Sequence, residues 1–397
     1  MRRSAVATLV LVVLVIAAAA YQYFRPLPSL QMKTLQPTSY KVPGKLKINW
    51  PSQGSAAVAV QGVGVMGSSN GNQVMPLASV AKMMTAYLTL KNHPLGIGAT
   101  GPTITITAAD VATYNSDNAQ GDSVAPVALG EKITERQLLE ALLLPSGDNI
   151  ATLLAQWNAG SVSKFVAEMN QTAKQLGMNR THYADPAGVN TATVGSALDQ
   201  IKLAEIDMTN PAFASIVSKP QVTLPYGPTQ YNTDYVLGHS GIIGIKTGSM
   251  PQAGGNFVFA TQPKINGKPV LIIGAVLGQQ GLSILTDALN AGVSVAQQAQ
   301  ANLQQVSVLQ SGAKAAAITA PWGQNADVMT TKGVSFIGWP GMVVKETVKA
   351  TAPKGPTLAA NTAVGHLVVS AGSQTADVPL RSAGVIKTPT WKWKLQR

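Results

Sequence analysis

The chain of 397 residues contains no cysteine, which removes disulfides, thiolate nucleophiles and cysteine-based metal sites at once. A chain without thiols is at ease in an oxidising compartment. Histidine is nearly as scarce, with four copies at His93, His182, His239 and His366. No two of them stand at metal-ligand spacing, so no metal is expected and a histidine-dependent hydrolase is disfavoured. Charge is thin as well: Asp, Glu, Lys and Arg make up 12% of the chain and hydrophobic residues 46%. That balance excludes both a disordered chain and a polytopic membrane protein. Acidic residues are the scarcer sign, 17 against 29 basic, which leaves a formal charge of +12. Such a surplus suits polyanionic surroundings, or simply a solvated basic surface. Aromatic residues are only 5%, and no Lys/Arg cluster is interleaved with them. Lys392 and Lys394 between tryptophans form too short a run, so nucleic acid is not an expected partner.

One long hydrophobic run is present. Arg2 and Arg3 precede an unbroken apolar stretch from Ala5 to Ala20, followed by Tyr21, Tyr23, Phe24 and Arg25. A basic start and an apolar centre mark an export signal. The Ala18–Ala20 stretch offers a small-residue cleavage site, while the run plus its aromatic flank nearly reaches the roughly 20 residues of a membrane span. Residues 1–24 are therefore read as a signal peptide or an N-terminal membrane anchor. Both place the remainder outside the cytoplasm, secreted or membrane-anchored through this segment.

The length allows two or three domains. Residues 25–50, with Pro26, Pro28, Pro37 and Pro43, read as an extended tether. Small and β-branched residues from Ser55 to Val65 predict a buried strand, and Gly67 to Gly71 a hairpin turn. Helices are expected after Pro76, over Thr134–Leu144 up to Pro145, over Asp148–Trp157 and over Val162–Leu176 up to Gly177. The runs GIIGIKTG, NFVFAT and PVLIIGAVLG then read as strands, and Leu285–Gln305 as a closing helix. A helix-rich block between an early strand and late strands predicts an α/β (α+β) domain, one antiparallel sheet flanked by helices, over residues 51–305. From 306 to 397 the composition turns to short Val/Thr-rich runs broken by Gly and Pro, which predicts a small C-terminal all-β, sandwich-like domain.

Three short motifs carry chemistry. Ser79-Val-Ala-Lys82 opens the helix after Pro76, and three residues is nearly one turn, so hydroxyl and amine share a face. A serine hydroxyl is a weak nucleophile that needs a base within reach, and a neutral Lys82 can be that base. Ser161–Lys164 and Ser311–Lys314 have the same spacing and read as surface pairs. Ser146-Gly147-Asp148-Asn149 follows Pro145 at a helix break, which also fits a plain N-cap cluster. Lys246-Thr247-Gly248 lies inside an apolar strand, where a lysine is costly unless it is used; Gly248 leaves room for a substrate backbone to lie close.

Ser79, Ser146 and Lys246 stand 67 and 100 residues apart, in the order of the SxxK, SxN and KTG motifs of penicillin-recognising serine enzymes. Around these motifs residues 50–300 resemble the D-alanyl-D-alanine carboxypeptidase family, the low-molecular-mass penicillin-binding proteins, through PLASVAKMMTAY, ALLLPSGDNIATLLA, FVAEMNQTAKQLGMNRTHYADPAGV and GIKTGSMPQAGG. The resemblance implies a transpeptidase-like, β-lactamase-like fold and the family's all-β tail. It implies peptidoglycan stem peptides as substrate, β-lactams as covalent inhibitors, and neither metal nor cofactor. It assigns attack on the carbonyl between two D-alanines to Ser79 and proton abstraction to Lys82. Backbone N–H groups of Ser79 and Ser249 would form an oxyanion hole. Ser146 and Lys246 would protonate the leaving D-alanine, and Lys246 with Thr247 would hold its carboxylate; Asp148, Asn149 and Gly248 complete the expected substrate contacts.

One residue departs from the family pattern. Asp148 stands where the third motif position is Asn, and a carboxylate cannot donate to a substrate carbonyl. It is expected to pair with Lys82 or Lys246 and hold that lysine as ammonium. A catalytically impaired wall- or penicillin-binding protein is therefore one alternative to the carboxypeptidase, and a D,D-endopeptidase using the same residues another. A β-lactamase wants an additional carboxylate for its deacylating water, and no glutamate stands in a recognisable place for it. Ser116-Asp117-Asn118, a literal SDN, lies outside the run that resembles the middle motif and is read as a decoy.

Overall fold

The structure, a computed structural model, describes residues 2–35 and 39–397 and divides into two compact units. The first comprises residues 46–304, the second residues 1–45 together with 305–397.

The larger unit is built on a five-stranded antiparallel sheet. Its strands run in the order Ile242–Met250, Gly254–Thr261, Ile272–Gln279, Ser55–Val60 and Gly64–Ser69. The central three of these, Gly254–Thr261, Ile272–Gln279 and Ser55–Val60, are buried along their whole length, so they read as continuous apolar runs rather than alternating ones. The hairpin joining the two early strands turns at residues 61–63; Gly67 already lies in the second strand. The expected turn at Gly67–Gly71 is thus one strand too late. Gly67 serves packing instead, since a Cβ there would stand 3.0 Å from the Trp50 ring.

Of the helices that pack on this sheet, Ile284–Asn302 is expected from the sequence, whereas Ala197–Asp207 and Pro211–Val217 are not; helix ends follow from local chemistry. Thr134 caps the helix Glu135–Leu143 and exchanges bonds with Gln137 in a capping box. Asp148–Ala159 ends at Gly160 in the left-handed region (φ 74°), which glycine adopts without strain. Ile284–Asn302 packs on the sheet strands Gly254–Thr261 and Ile272–Gln279. The stretch after Pro76 is not one helix: a 3-10 turn over Ala78–Ala81 precedes the α-helix Lys82–Asn92.

Asn256 ties the sheet to that 3-10 turn. Its side chain is fully buried; its Nδ2 donates to the carbonyls of Pro76 (3.0 Å) and Leu77 (2.9 Å), and its Oδ1 accepts from Gly278 N (2.7 Å). The backbone leading into the nucleophile candidate, two residues after Leu77, is thereby bonded to the central sheet.

In the second unit, seven strands form a sheet in the order Gln31–Thr34, Lys314–Thr319, Asn325–Thr330, Gln374–Ser382, Ala363–Ala371, Val343–Ala350 and Ser39–Lys41. Residues 25–50, read as a tether, are therefore built into a sheet: Gln31–Thr34 and Ser39–Lys41 pair antiparallel at its two opposite edges. Pro26, Pro28 and Pro43 flank these short strands without interrupting them, as edge strands allow; Pro37 lies outside the described residues. Thr34 and Ser39 are five residues apart, a span of at most about 18 Å, so these two ends of the opposite edge strands lie within that distance. The same unit holds the helix Arg2–Phe24, whose apolar surface is exposed. Its stretch Arg3–Phe24 is long and apolar enough to cross a membrane.

Replacing Asn256 by Leu strips three buried backbone groups of their partner. The expected loss is about 3 kcal/mol of unfolding free energy, read as a lower denaturant midpoint with an unchanged slope.

Candidate active site

Ser79, in the 3-10 turn, is displayed by two unusual backbone positions. Ala78 has φ of 46°, a conformation alanine rarely adopts, and Gly188 lies so close that a Cβ on it would stand 1.8 Å from the Ala78 carbonyl oxygen. Strain of this kind survives only where surrounding structure enforces it, typically at functional sites. On the other side, the strand Ile242–Met250 presses its Gly248 against the same turn. A Cβ at Gly248 would stand 2.9 Å from both Ser79 N and Val80 N. The missing side chain of Gly248 therefore makes room for the turn rather than for a substrate backbone, and it draws Ser249 up beside Ser79.

Lys82 begins the α-helix and is fully buried. Its Nζ donates to Ser79 Oγ (2.8 Å), to the Ala187 carbonyl (3.1 Å) and to Asp148 Oδ1, with which it forms an ion pair. All three donors of an ammonium are thus occupied. Asp148 pairs with Lys82 as its chemistry requires, and Asp148 is itself 6% exposed. A buried ammonium with three oxygen partners is stable where a bare one would be expelled.

A second buried lysine stands close by. Lys246 Nζ donates to Ser146 Oγ (3.0 Å) and to the Thr247 carbonyl (2.9 Å). Ser146 sits at φ 69°, again in the left-handed region, at the turn between two helices. Burial, with the Lys82 charge behind it, pushes the Lys246 amine well below its ordinary value, and Asp148 and Asp234 partly oppose this. An amine so shifted takes and returns protons nearer neutrality. Thr247 is bonded through its hydroxyl to Thr233 Oγ1 at 2.6 Å.

The motif residues therefore converge as two lysine–serine pairs, Lys82 with Ser79 and Lys246 with Ser146. A cavity of about 230 Å³ opens on Ser79, Asp148 and Ser249. Asn149 does not face it as a substrate contact. Its amide is spent on Ala125, accepting from Ala125 N (3.0 Å) and donating to Ala125 O (2.9 Å), which ties down the loop before the motif. Ser161 and Lys164 are an N-cap and its third residue, and Lys314 pairs with Asp327 at 2.6 Å. The Ser116-Asp117-Asn118 run ends the helix Ala108–Gln120, and that helix leads into the loop lining the cavity.

Three residues at the site carry no sequence motif. Thr233 and Asp234 come from an irregular stretch between strands, and Asp122 from the loop after Gly121. Asp234 is 3% exposed; its Oδ1 accepts from Val236 N (3.2 Å), and its Oδ2 has no partner among the described residues. Burial raises its carboxyl to about 6, against the opposing pull of the Val236 bond and the Lys246 ammonium. A polar-to-acidic tripeptide such as Asn232-Thr233-Asp234 has no signal of its own. Only the pairing with the Lys246 strand singles it out.

Comparison with known proteins bears on the family and the fold. The profile of the D-alanyl-D-alanine carboxypeptidase family matches residues 51–281. A D-alanyl-D-alanine carboxypeptidase of Streptomyces sp. strain K15 is 34% identical over 221 residues, 51% of this chain and 72% of the relative. A D-alanyl-D-alanine endopeptidase of Pseudomonas aeruginosa is 30% identical over 230 residues, 56% of this chain and 70% of the relative. Among solved structures, the Streptomyces K15 DD-transpeptidase superposes with a TM-score of 0.56 at 27% identity, covering 64% of this chain and all of that one. The D-alanyl-D-alanine carboxypeptidase DacD from Francisella tularensis shares the fold over 88% of this chain and 97% of its own, with a TM-score of 0.62 at 20% identity.

Asp234 yields a pH test. Its folded-state value lies above the ordinary carboxyl value, so the stability it contributes is present at low pH and lost as pH rises through about 6. In Asp234→Asn this loss is absent. The melting temperature of the variant relative to wild type is expected to climb between pH 4 and pH 7, measured by calorimetry; a constant difference would contradict the buried-carboxyl assignment.

Proposed function

Since this chain belongs to the D-alanyl-D-alanine carboxypeptidase family, we propose that it removes the terminal D-alanine from peptidoglycan stem peptides through an acyl-enzyme on Ser79. It is a serine-type hydrolase acting outside the cytoplasm, and β-lactams acylate the same serine. The observation that carries the assignment of residues is the 2.8 Å bond between the buried Lys82 and Ser79, which lines the cavity.

The steps combine the contacts above with the roles that the family resemblance implies. Ser79 Oγ attacks the carbonyl between the two D-alanines. Its proton passes to Lys82, and the Asp148 carboxylate accepts the proton that Lys82 must shed first. Asp148 is thus a base coupled to Lys82, where an asparagine would donate to the substrate instead. The oxyanion is met by the backbone N–H groups of Ser79 and Ser249. Lys246, kept prone to lose its proton by burial, delivers one through Ser146 to the leaving amine. The Lys246 ammonium and the Thr247 hydroxyl receive the substrate's terminal carboxylate. Cleavage of cross-links uses the same residues, and the curated relatives carry both carboxypeptidase and endopeptidase names at similar identity.

The chain is held at the membrane by the helix Arg2–Phe24. The short helix Trp391–Gln396 supports this reading, because it packs on the aromatic end of the apolar helix. Lys394 Nζ lies 4.7 Å from the Tyr23 ring centre, and Arg397 donates to the carbonyls of Gln22 (3.1 Å) and Pro26 (3.0 Å). Trp, Tyr, Lys and Arg gathered at one end of an apolar span are suited to the headgroup layer.

Two measurements check these readings. D-Alanine release from a pentapeptide stem is expected with wild type and abolished in Ser79→Ala, whereas release only from a cross-linked dimer would reassign the enzyme as an endopeptidase. Membranes washed at alkaline pH are expected to retain the full chain and to lose it when residues 2–24 are deleted. Equal recovery of both forms in the wash would contradict the anchor.

A further inference from the structure

The cavity in front of Ser79 holds a carboxylate that none of the three motifs supplies. Asp122 shares that cavity with Ser79 and Ser249. Its side chain forms no hydrogen bond or ion pair with the protein among the described residues. The other carboxylate there, Asp148, is committed to Lys82.

The loop that carries Asp122 is fastened to the middle motif itself. Asp148 N donates to the Ser123 carbonyl (2.7 Å), and the Asn149 amide makes its two bonds to the Ala125 backbone. At the other end, Gly121 closes the preceding helix at φ 79°, and Asp122 N donates to the Asp117 carbonyl (3.0 Å). Anchors at residues 117, 123 and 125 bracket Asp122, so the carboxylate is held in place rather than carried on a free loop. Asn149 therefore acts on the site indirectly, as a clamp for this loop.

The electrostatic surroundings suit a base. Burial and the neighbouring Asp148 charge raise the Asp122 carboxyl above the ordinary range, and the Lys82 ammonium partly restrains the rise. A carboxylate of raised basicity that lacks a protein partner can accept a proton from water. Lys82 is poorly placed for that task once acylation has loaded it with the Ser79 proton, because its other two donors remain tied to Asp148 and Ala187.

We propose that Asp122 is the general base of deacylation. It takes a proton from a water whose oxygen bonds to the acyl carbonyl carbon. The tetrahedral intermediate then collapses with cleavage of the carbon–Oγ bond, and Ser79 Oγ recovers its proton from the Lys82 ammonium. The released acid ionises, the proton on Asp122 returns through solvent to Lys82, and the proton that Asp148 took during acylation passes to Lys246, which gave one to the leaving amine; this restores the starting state. Acylation and deacylation thus use different carboxylates: Asp148 serves the lysine and Asp122 the water.

This inference rests on Ser79 being acylated, and the test keeps the two apart. The full chain in detergent is mixed with benzylpenicillin, and the acyl adduct is followed by intact mass through formation and decay. In Asp122→Asn the adduct is expected to form within about threefold of the wild-type rate and to decay about 100-fold more slowly, the usual scale of a lost general base. The pH dependence of decay should flatten in that variant, and Asp122→Glu should recover part of the rate. Unchanged decay, or formation and decay falling together, would overturn the proposal, with thermal melting showing that each variant is folded. Absence of any adduct in wild type would instead sink the acyl-enzyme reading beneath it.

Discussion

The site depends on a fully buried ammonium. Lys82 has no solvent to stabilise its charge, so the fold must supply oxygen partners on three sides: Ser79, Asp148 and the Ala187 carbonyl. Each partner comes from a different part of the chain, and each is constrained to reach Lys82. Ser79 is forced forward by the positive φ of Ala78 and the absent side chains of Gly188 and Gly248. Asp148 opens a helix directly after the strained Ser146. Ala187 lies in the Asp185–Val189 loop, whose backbone N–H groups of Ala187, Gly188 and Val189 all bond to Asp185 Oδ2. An uncompensated charge at Lys82 would cost several kcal/mol, so the requirement to satisfy it orders much of the cleft.

The substitution at the middle motif acquires a meaning from this arrangement. An asparagine at 148 would offer Lys82 a neutral oxygen and the substrate a donor. Aspartate gives up the donor and gains a charge that the lysine can lean on. The same exchange concentrates negative charge in a cleft of a chain that is otherwise short of acid. Lys82, Asp148, Lys246 and Asp234 are all nine-tenths or more buried; Asp122, partly exposed, stands at the edge of this group. Their interactions make the proton inventory a property of the group rather than of any one residue.

Much of this was legible in the chain because the informative signals are local. SxxK spacing places hydroxyl and amine on one face of a turn, a lysine within an apolar strand announces a use, and Pro145 marks a helix end. Apolar periodicity, with Pro145 and Gly177 as stops, puts Glu135–Leu143, Asp148–Ala159, Val162–Gln175 and Ile284–Asn302 within a few residues of their bounds, while Ala108–Gln120, Ala197–Asp207 and Pro211–Val217 are not predicted. What was not legible is non-local. Nothing near Asn149 reveals that its amide is consumed by Ala125, and nothing near Gly248 reveals that Ser79 and Val80 occupy its missing Cβ. Thr233, Asp234 and Asp122 sit in irregular stretches where no period exists to be read. Prolines made residues 25–50 look unpaired, yet the four residues Gln31–Thr34 suffice for an edge strand once Lys314–Thr319 is present to receive it.

The central claim is that Ser79 is the nucleophile armed by this buried lysine. It is tested most directly by the intact mass of wild type and Ser79→Ala, each as the full chain in detergent, at intervals after mixing with benzylpenicillin. The account predicts one added penicilloyl group on wild type and none on the variant. Equal labelling of both proteins, or no labelling of a folded wild type, would contradict it.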